Sequence, residues 1–114
     1  MKIEMKVSGL DKLVDSFNTD KKHQALQKTV KRYASIVQKG AVRKVPVDTG
    51  HLKRSIMPPS FSSDGMYAIV RATANYAPYV EYGTRFMAAQ PFMAPAYNEI
   101  RQDFLDAIKR VVNS

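Results

Sequence analysis

The chain has 114 residues, 45% of them hydrophobic, no cysteine, and a formal net charge of +8. That length predicts one domain, spanning 1–114. The cysteine count excludes disulfides and thiolate metal sites. The longest uncharged run, Phe86 to Asn98, is broken by prolines and too short for a bilayer, so no membrane partner is predicted.

Charge is unevenly placed. Residues 1–60 carry thirteen Lys/Arg and five Asp/Glu, whereas residues 61–114 carry five of each. The whole excess lies in the first half, which points to a local basic surface. The opening Met-Lys-Ile-Glu-Met-Lys lacks the apolar core of a signal peptide, so synthesis in a cytoplasm is expected.

In chain order, Lys2 to Val7 alternates, with Ile3, Met5 and Val7 on one side, and predicts a strand with one buried face. After Ser8-Gly9, Leu10, Leu13, Val14 and Phe17 recur at helical spacing and predict a short helix, capped by Ser8 or Asp11. A long helix is predicted from about Lys21 to about Lys44, capped by Thr19 or Asp20. Its Leu26, Val30, Tyr33, Val37 and Ala41 form one apolar stripe. Lys21, Lys28, Arg32, Lys39 and Arg43 line up about 150° away on the same wheel. No acidic residue interrupts the helix after Asp20. A solvated face of ordinary kind would mix signs for i,i+4 pairing. The row is therefore a candidate for facing phosphates or an acidic protein.

Pro46 and Gly50 end the long helix, and Asp48 between them suits an Asx-turn. Leu52 to Met57 and Met66 to Ala74 read as two strands pairing antiparallel. Pro58 to Gly65 reads as a long, mobile hairpin tip. From Asn75 to Ala96 come three tyrosines, three prolines, Gly83 and a single carboxylate, Glu81, a composition that suits neither a long helix nor a regular strand. The stretch reads either as a buried connection or as a rigid aromatic surface that a partner covers. A buried Glu81 would bond to tyrosine hydroxyls, backbone N–H groups or an Arg. A last helix is predicted from Pro95 or Ala96, with Tyr97, Ile100, Phe104, Ile108 and Val111 as its stripe and a face of mixed sign. The fold class is thus α+β, a long basic helix and a C-terminal helix packed on a small antiparallel sheet.

Chemistry for catalysis is sparse. His23 and His51 are the only histidines, no Gly-rich phosphate loop is present, and Glu81 has no visible acid–base partner. The expectation is no enzyme, no cofactor and no metal. An enzyme centred on Asp48, His51 and Glu81 remains a rival, as does a small nucleic-acid-binding module using the basic row.

Three stretches carry a family resemblance. They are Val45-Pro46-Val47-Asp48-Thr49-Gly50-His51-Leu52-Lys53-Arg54-Ser55-Ile56, Tyr76-Ala77-Pro78-Tyr79-Val80-Glu81-Tyr82-Gly83-Thr84 and Ala89-Gln90-Pro91-Phe92-Met93-Ala94-Pro95-Ala96. Together with the long helix, and in this order, they resemble the phage proteins named after the tenth gene product of a lambda-like coliphage. The resemblance implies a structural virion protein of a tailed phage or prophage, in head–tail joining or tail completion. It implies a homo-oligomeric ring with neighbouring neck or tail proteins as partners, and assembly in the host cytoplasm. DNA passing through the lumen would be met without sequence specificity. A ring needs a head-to-tail interface on each subunit, and interface cores favour Tyr, Phe, Met and Arg. Tyr76, Pro78, Tyr79, Glu81, Tyr82, Arg85, Phe86, Pro91, Phe92 and Met93 are the expected contact residues.

Overall fold

The computed structural model describes residues 1–6, 20–46 and 50–113. Strand β1 (Lys2–Lys6) is followed by helix α1 (Asp20–Lys44), a short helix α2 (Gly50–Ser55), strands β2 (Ser60–Phe61) and β3 (Tyr67–Arg71), a short helix α3 (Ala77–Tyr82) and helix α4 (Met93–Asn113). The sheet order is β1-β3-β2, antiparallel throughout.

Alternation in β1 and β3 works as the period of two requires. Met5 pairs with Ala68 and Ile3 with Val70, and Met5, Ala68 and Val70 are buried. The helices α1 and α4 cover this side, with α1 against β3 and α4 against β1. Leu26, Val30, Tyr33, Val37 and Ala41 are all buried, so the stripe read from the sequence is the core face of α1. The two long helices run antiparallel. Tyr33 meets Phe104 with ring centroids 5.5 Å apart, Lys44 Nζ donates to Glu99 Oε1 at 2.5 Å, and a Cβ on Gly40 would sit 3.3 Å from that of Ala96. Gly40 thus sets how closely the helix axes approach. The observed architecture is the expected α+β arrangement.

Three expectations need correction. Leu52 to Met57 is not a strand but mostly helix α2, with Leu52, Ser55 and Ile56 buried. Their three- and four-residue spacing fits a helical turn as well as a strand, and so short an apolar run does not decide between them. Ser55 Oγ donates to the Leu52 carbonyl at 2.7 Å, and the Thr73 N–H and hydroxyl both donate to the Ser55 carbonyl at 3.0 Å, which ties α2 to the chain beyond β3. The antiparallel pairing with 67–72 survives, taken up later in the sequence by an Ile56–Ala72 bridge and β2.

Pro58 to Gly65 is not one long loop, since it contains β2. A short turn follows β2. Asp64 Oδ1 accepts from the Ser62 hydroxyl at 2.5 Å and from the Met66 N–H at 3.0 Å, while Gln27 of α1 donates to the Asp64 carbonyl at 2.8 Å. Hydrogen bonds from Ser62 and Met66 hold the Asp64 carboxyl below its ordinary range. A carboxyl lowered on folding contributes stability above its unfolded value, and that contribution is lost as pH falls through the folded value. The bonds from Ser62 and Met66 to Asp64 are therefore expected to survive acidification through the ordinary carboxylate range and to open only below it. The protection factor of the Met66 amide, its exchange rate taken relative to the intrinsic rate at each pH, should fall only beneath that range.

Third, the stretch from Asn75 holds a regular element, α3, because Pro78 sits within its first turn, where a missing N–H costs nothing. The final helix begins at Met93, ahead of Pro95. The short helix expected between Leu10 and Phe17, and the Asp48 turn, lie outside the described residues.

Candidate interaction surface

The stretch from Tyr76 to Ala96 is organised by one carboxylate. Glu81 on α3 is 3% exposed. Its Oε1 accepts from the N–H groups of Phe92 (3.1 Å) and Met93 (2.8 Å), and its Oε2 from that of Ala94 (3.2 Å). Met93 and Ala94 open α4, and an α-helix leaves its first N–H groups without partners inside the helix. Proline at 95 has no N–H to satisfy. One side chain, 11 to 13 residues upstream, thus caps α4 and places a negative charge at the positive end of its dipole. The Gln90 N–H donates to the Val80 carbonyl at 2.8 Å just outside this cap. Of the partners proposed for a buried Glu81, the structure selects backbone N–H groups.

Residues 83–90 are therefore a loop pinched at its base. Gly83 leaves α3 at φ 78°, ψ 175°, a combination that side chains rarely adopt. A Cβ there would lie 2.7 Å from Ala89 N and 3.0 Å from Met87 O. Gly83→Ala is expected to cost on the order of 2 kcal/mol or more, from backbone strain and collision together, as a lowered urea midpoint would show. Beyond Gly83, Thr84 and Met87 pair across a tight turn, with the Thr84 N–H donating to Met87 O at 2.8 Å and the Phe86 N–H to Thr84 Oγ1 at 3.1 Å. Arg85 and Phe86 occupy the tip, the guanidinium carbon 5.3 Å from the ring centroid.

The loop and α3 present apolar groups to water. Phe86 is 89% exposed, Tyr82 74% and Tyr79 59%, with Met87 also exposed. Tyr79 and Tyr82, three apart on α3, share a face. The ten expected contact residues thus divide. Tyr79, Tyr82, Arg85, Phe86 and Pro91 are exposed, and Tyr76 and Pro78 half-buried. Glu81, Phe92 and Met93 are buried in this chain's own interior, as the latch and the core beneath it. The aromatic stretch is thus a buried connection in one part and an exposed surface in the other. Sequence reasoning missed Met57 and Phe61, also exposed. Phe61 pairs with the core residue Ala68 but lies on the outer strand of the sheet.

The basic row lies on the outer face of α1. Lys28, Arg32, Lys39 and Arg43 are exposed over ~22 Å of helix. Among the described residues, ion pairs join Lys2 to Glu4 and Lys44 to Glu99, and none involves the row. The side chain of Lys21 is outside the description. Pro46 follows the end of α1 and Gly50 begins α2. Of the rival catalytic set, His51 is exposed with its ring 5.9 Å from that of Tyr76, while the Glu81 carboxylate is turned inward to α4. Among the described residues no group of three His, Asp or Glu could hold a metal ion, and no helix is long and apolar enough to cross a membrane.

A protein-family model described as "HK97-gp10_like: Bacteriophage HK97-gp10, putative tail-component" matches residues 8–83, more than half of the chain. That span includes α1 and the Tyr76–Gly83 stretch, and stops short of the exposed turn. No curated protein and no solved structure matches.

Proposed function

From the premise that this chain belongs to the HK97-gp10-like family of bacteriophage tail components, we propose that it is a single-domain head–tail joining or tail-completion protein. It acts as a homo-oligomeric ring around the DNA path. Family membership implies a place in the virion among other phage tail proteins. The finer assignment is supported above all by Tyr79 and Tyr82 on α3 and by Phe86 and Met87 on the loop that Glu81 clamps, all four of which stand in water. Large apolar side chains grouped on a preorganised loop mark a contact surface. In a ring the contact is heterologous and closes by rotation, so these side chains meet a different face of the next subunit.

The decisive experiment is mass measurement of the purified protein, alone and with tails lacking it. A ring, formed free or on the tail, is the expected product. A protein that stays monomeric and binds no tail overturns the proposal.

The row on α1, exposed at Lys28, Arg32, Lys39 and Arg43 and without an ion pair among the described residues, favours a second reading, a basic surface for DNA. In a ring, this row faces either DNA in the lumen or an acidic neighbouring ring. Titration with duplex DNA at several salt concentrations separates a ring from a stand-alone nucleic-acid-binding module. Four released counterion contacts would give a log–log slope of about −3.6. Tight binding by the monomer with that slope supports the module. Ring formation with weak DNA affinity supports the head–tail reading.

A further inference from the structure

A second cationic feature lies where β1, the end of β3, α2 and α3 meet. An open groove of about 630 Å³ is lined by Met1, Lys2, Arg71, Ala72, Ala74 and Pro78, among others. A smaller recess of about 340 Å³, lined by His51, Arg54 and Ser55, shares Thr73, Ala74 and Asn75 with it. Among the described residues, no carboxylate lines either one.

The charges here are arranged at a cost. Lys2 and Arg71 are paired directly across the β1–β3 ladder. Like charges in that relation destabilise a sheet. Lys2 is answered by Glu4, with Nζ 2.9 Å from Oε1, but among the described residues no ion pair answers Arg71 or Arg54. The floor between them is alanine, Ala72 and Ala74 being buried, and Pro78 gives an apolar wall.

We infer that this groove binds an acidic polypeptide segment of a neighbouring protein, its carboxylates on Arg71 and Arg54 and a small apolar residue over Ala72 and Ala74. Guanidinium groups take carboxylates with two parallel hydrogen bonds, which an ammonium cannot match. A recess of this size with an alanine floor suits side chains. A DNA duplex is convex and meets protruding cations, which α1 supplies instead. The site shares only Pro78 with the expected ring contact, so its failure leaves the proposed function standing.

The test uses the whole chain, a short fluorescein-labelled peptide alternating glutamate and alanine, and anisotropy at near-physiological salt. Saturable binding is expected, weakened about tenfold or more in R54E/R71E and little changed in K28E/R32E. If charge reversal disturbs folding, judged by the urea midpoint, R54A/R71A replaces it with the same expectation. Absence of saturable binding, equal weakening by the α1 variant, or full binding by R54E/R71E overturns the inference. So does duplex DNA that binds through Arg54 and Arg71 in preference to the peptide, which would make the groove a nucleic-acid surface.

Discussion

Replacing Glu81 with Ala is expected to destabilise the protein by about 3–5 kcal/mol, the largest effect of any single change considered. The variant strands three backbone N–H groups that the carboxylate holds at 2.8 to 3.2 Å, those of Phe92 and Met93 buried and that of Ala94 partly so. Each buried donor left unmade costs about 1–3 kcal/mol, and bonds to a charged acceptor lie at the upper end. Partial relaxation and water entry hold the sum below the arithmetic maximum. Glu81→Gln keeps one acceptor oxygen but turns an NH₂ group toward donors, so a smaller loss, about 1.5–3 kcal/mol, is expected. Urea denaturation gives both values. Amide exchange adds a local signature. In either variant the N–H groups of Gln90, Phe92, Met93 and Ala94 should lose protection before those of α1 do. Uniform acceleration along the whole chain would mean that Glu81 is ordinary core material and not the clamp of one loop.

The second large effect is on assembly and should leave the subunit intact. Phe86 is 89% exposed, so Phe86→Asp removes almost no packing within the chain, and its unfolding free energy from urea denaturation should change by less than about 0.5 kcal/mol. In a subunit contact the same change buries a carboxylate where an aromatic ring belonged. Losses at central aromatic contacts are about 2 kcal/mol or more, which is about thirtyfold or more in affinity per interface. A closed ring repeats that loss at every interface, so tail attachment should disappear in F86D and in Y82A/F86D while circular dichroism is unchanged. Normal attachment by the double variant would place the contact elsewhere on the molecule. The contrast with Glu81→Ala is informative, since that variant should lose attachment and stability together.

Much of this was readable from residue order because periodic patterns report burial directly. β1 alternates, α1 and α4 carry apolar stripes, and the one-signed row on α1 could only sit opposite its stripe. What was not readable depended on contacts distant in sequence. Leu52 and Ile56 suit a strand or a helical turn, and the choice fell to the pairing of Ser55 with Thr73. Pro78 looks like a breaker until its place in the first turn of α3 is known. Phe92, Met93 and Phe86 are alike in composition and opposite in placement, because the Glu81 clamp draws the first two inward and leaves the third on the tip of the turn. The need for a buried carboxylate to find donors was evident, whereas the donors themselves, at the start of α4, were not.

The central claim is that copies of this subunit meet through Tyr79, Tyr82, Phe86 and Met87. Hydroxyl-radical footprinting of the free protein and of tails that carry it tests this most directly. All four side chains are expected to be modified in the free protein and strongly protected in the particle. Equal modification in both states, with protection found on another face, would contradict it.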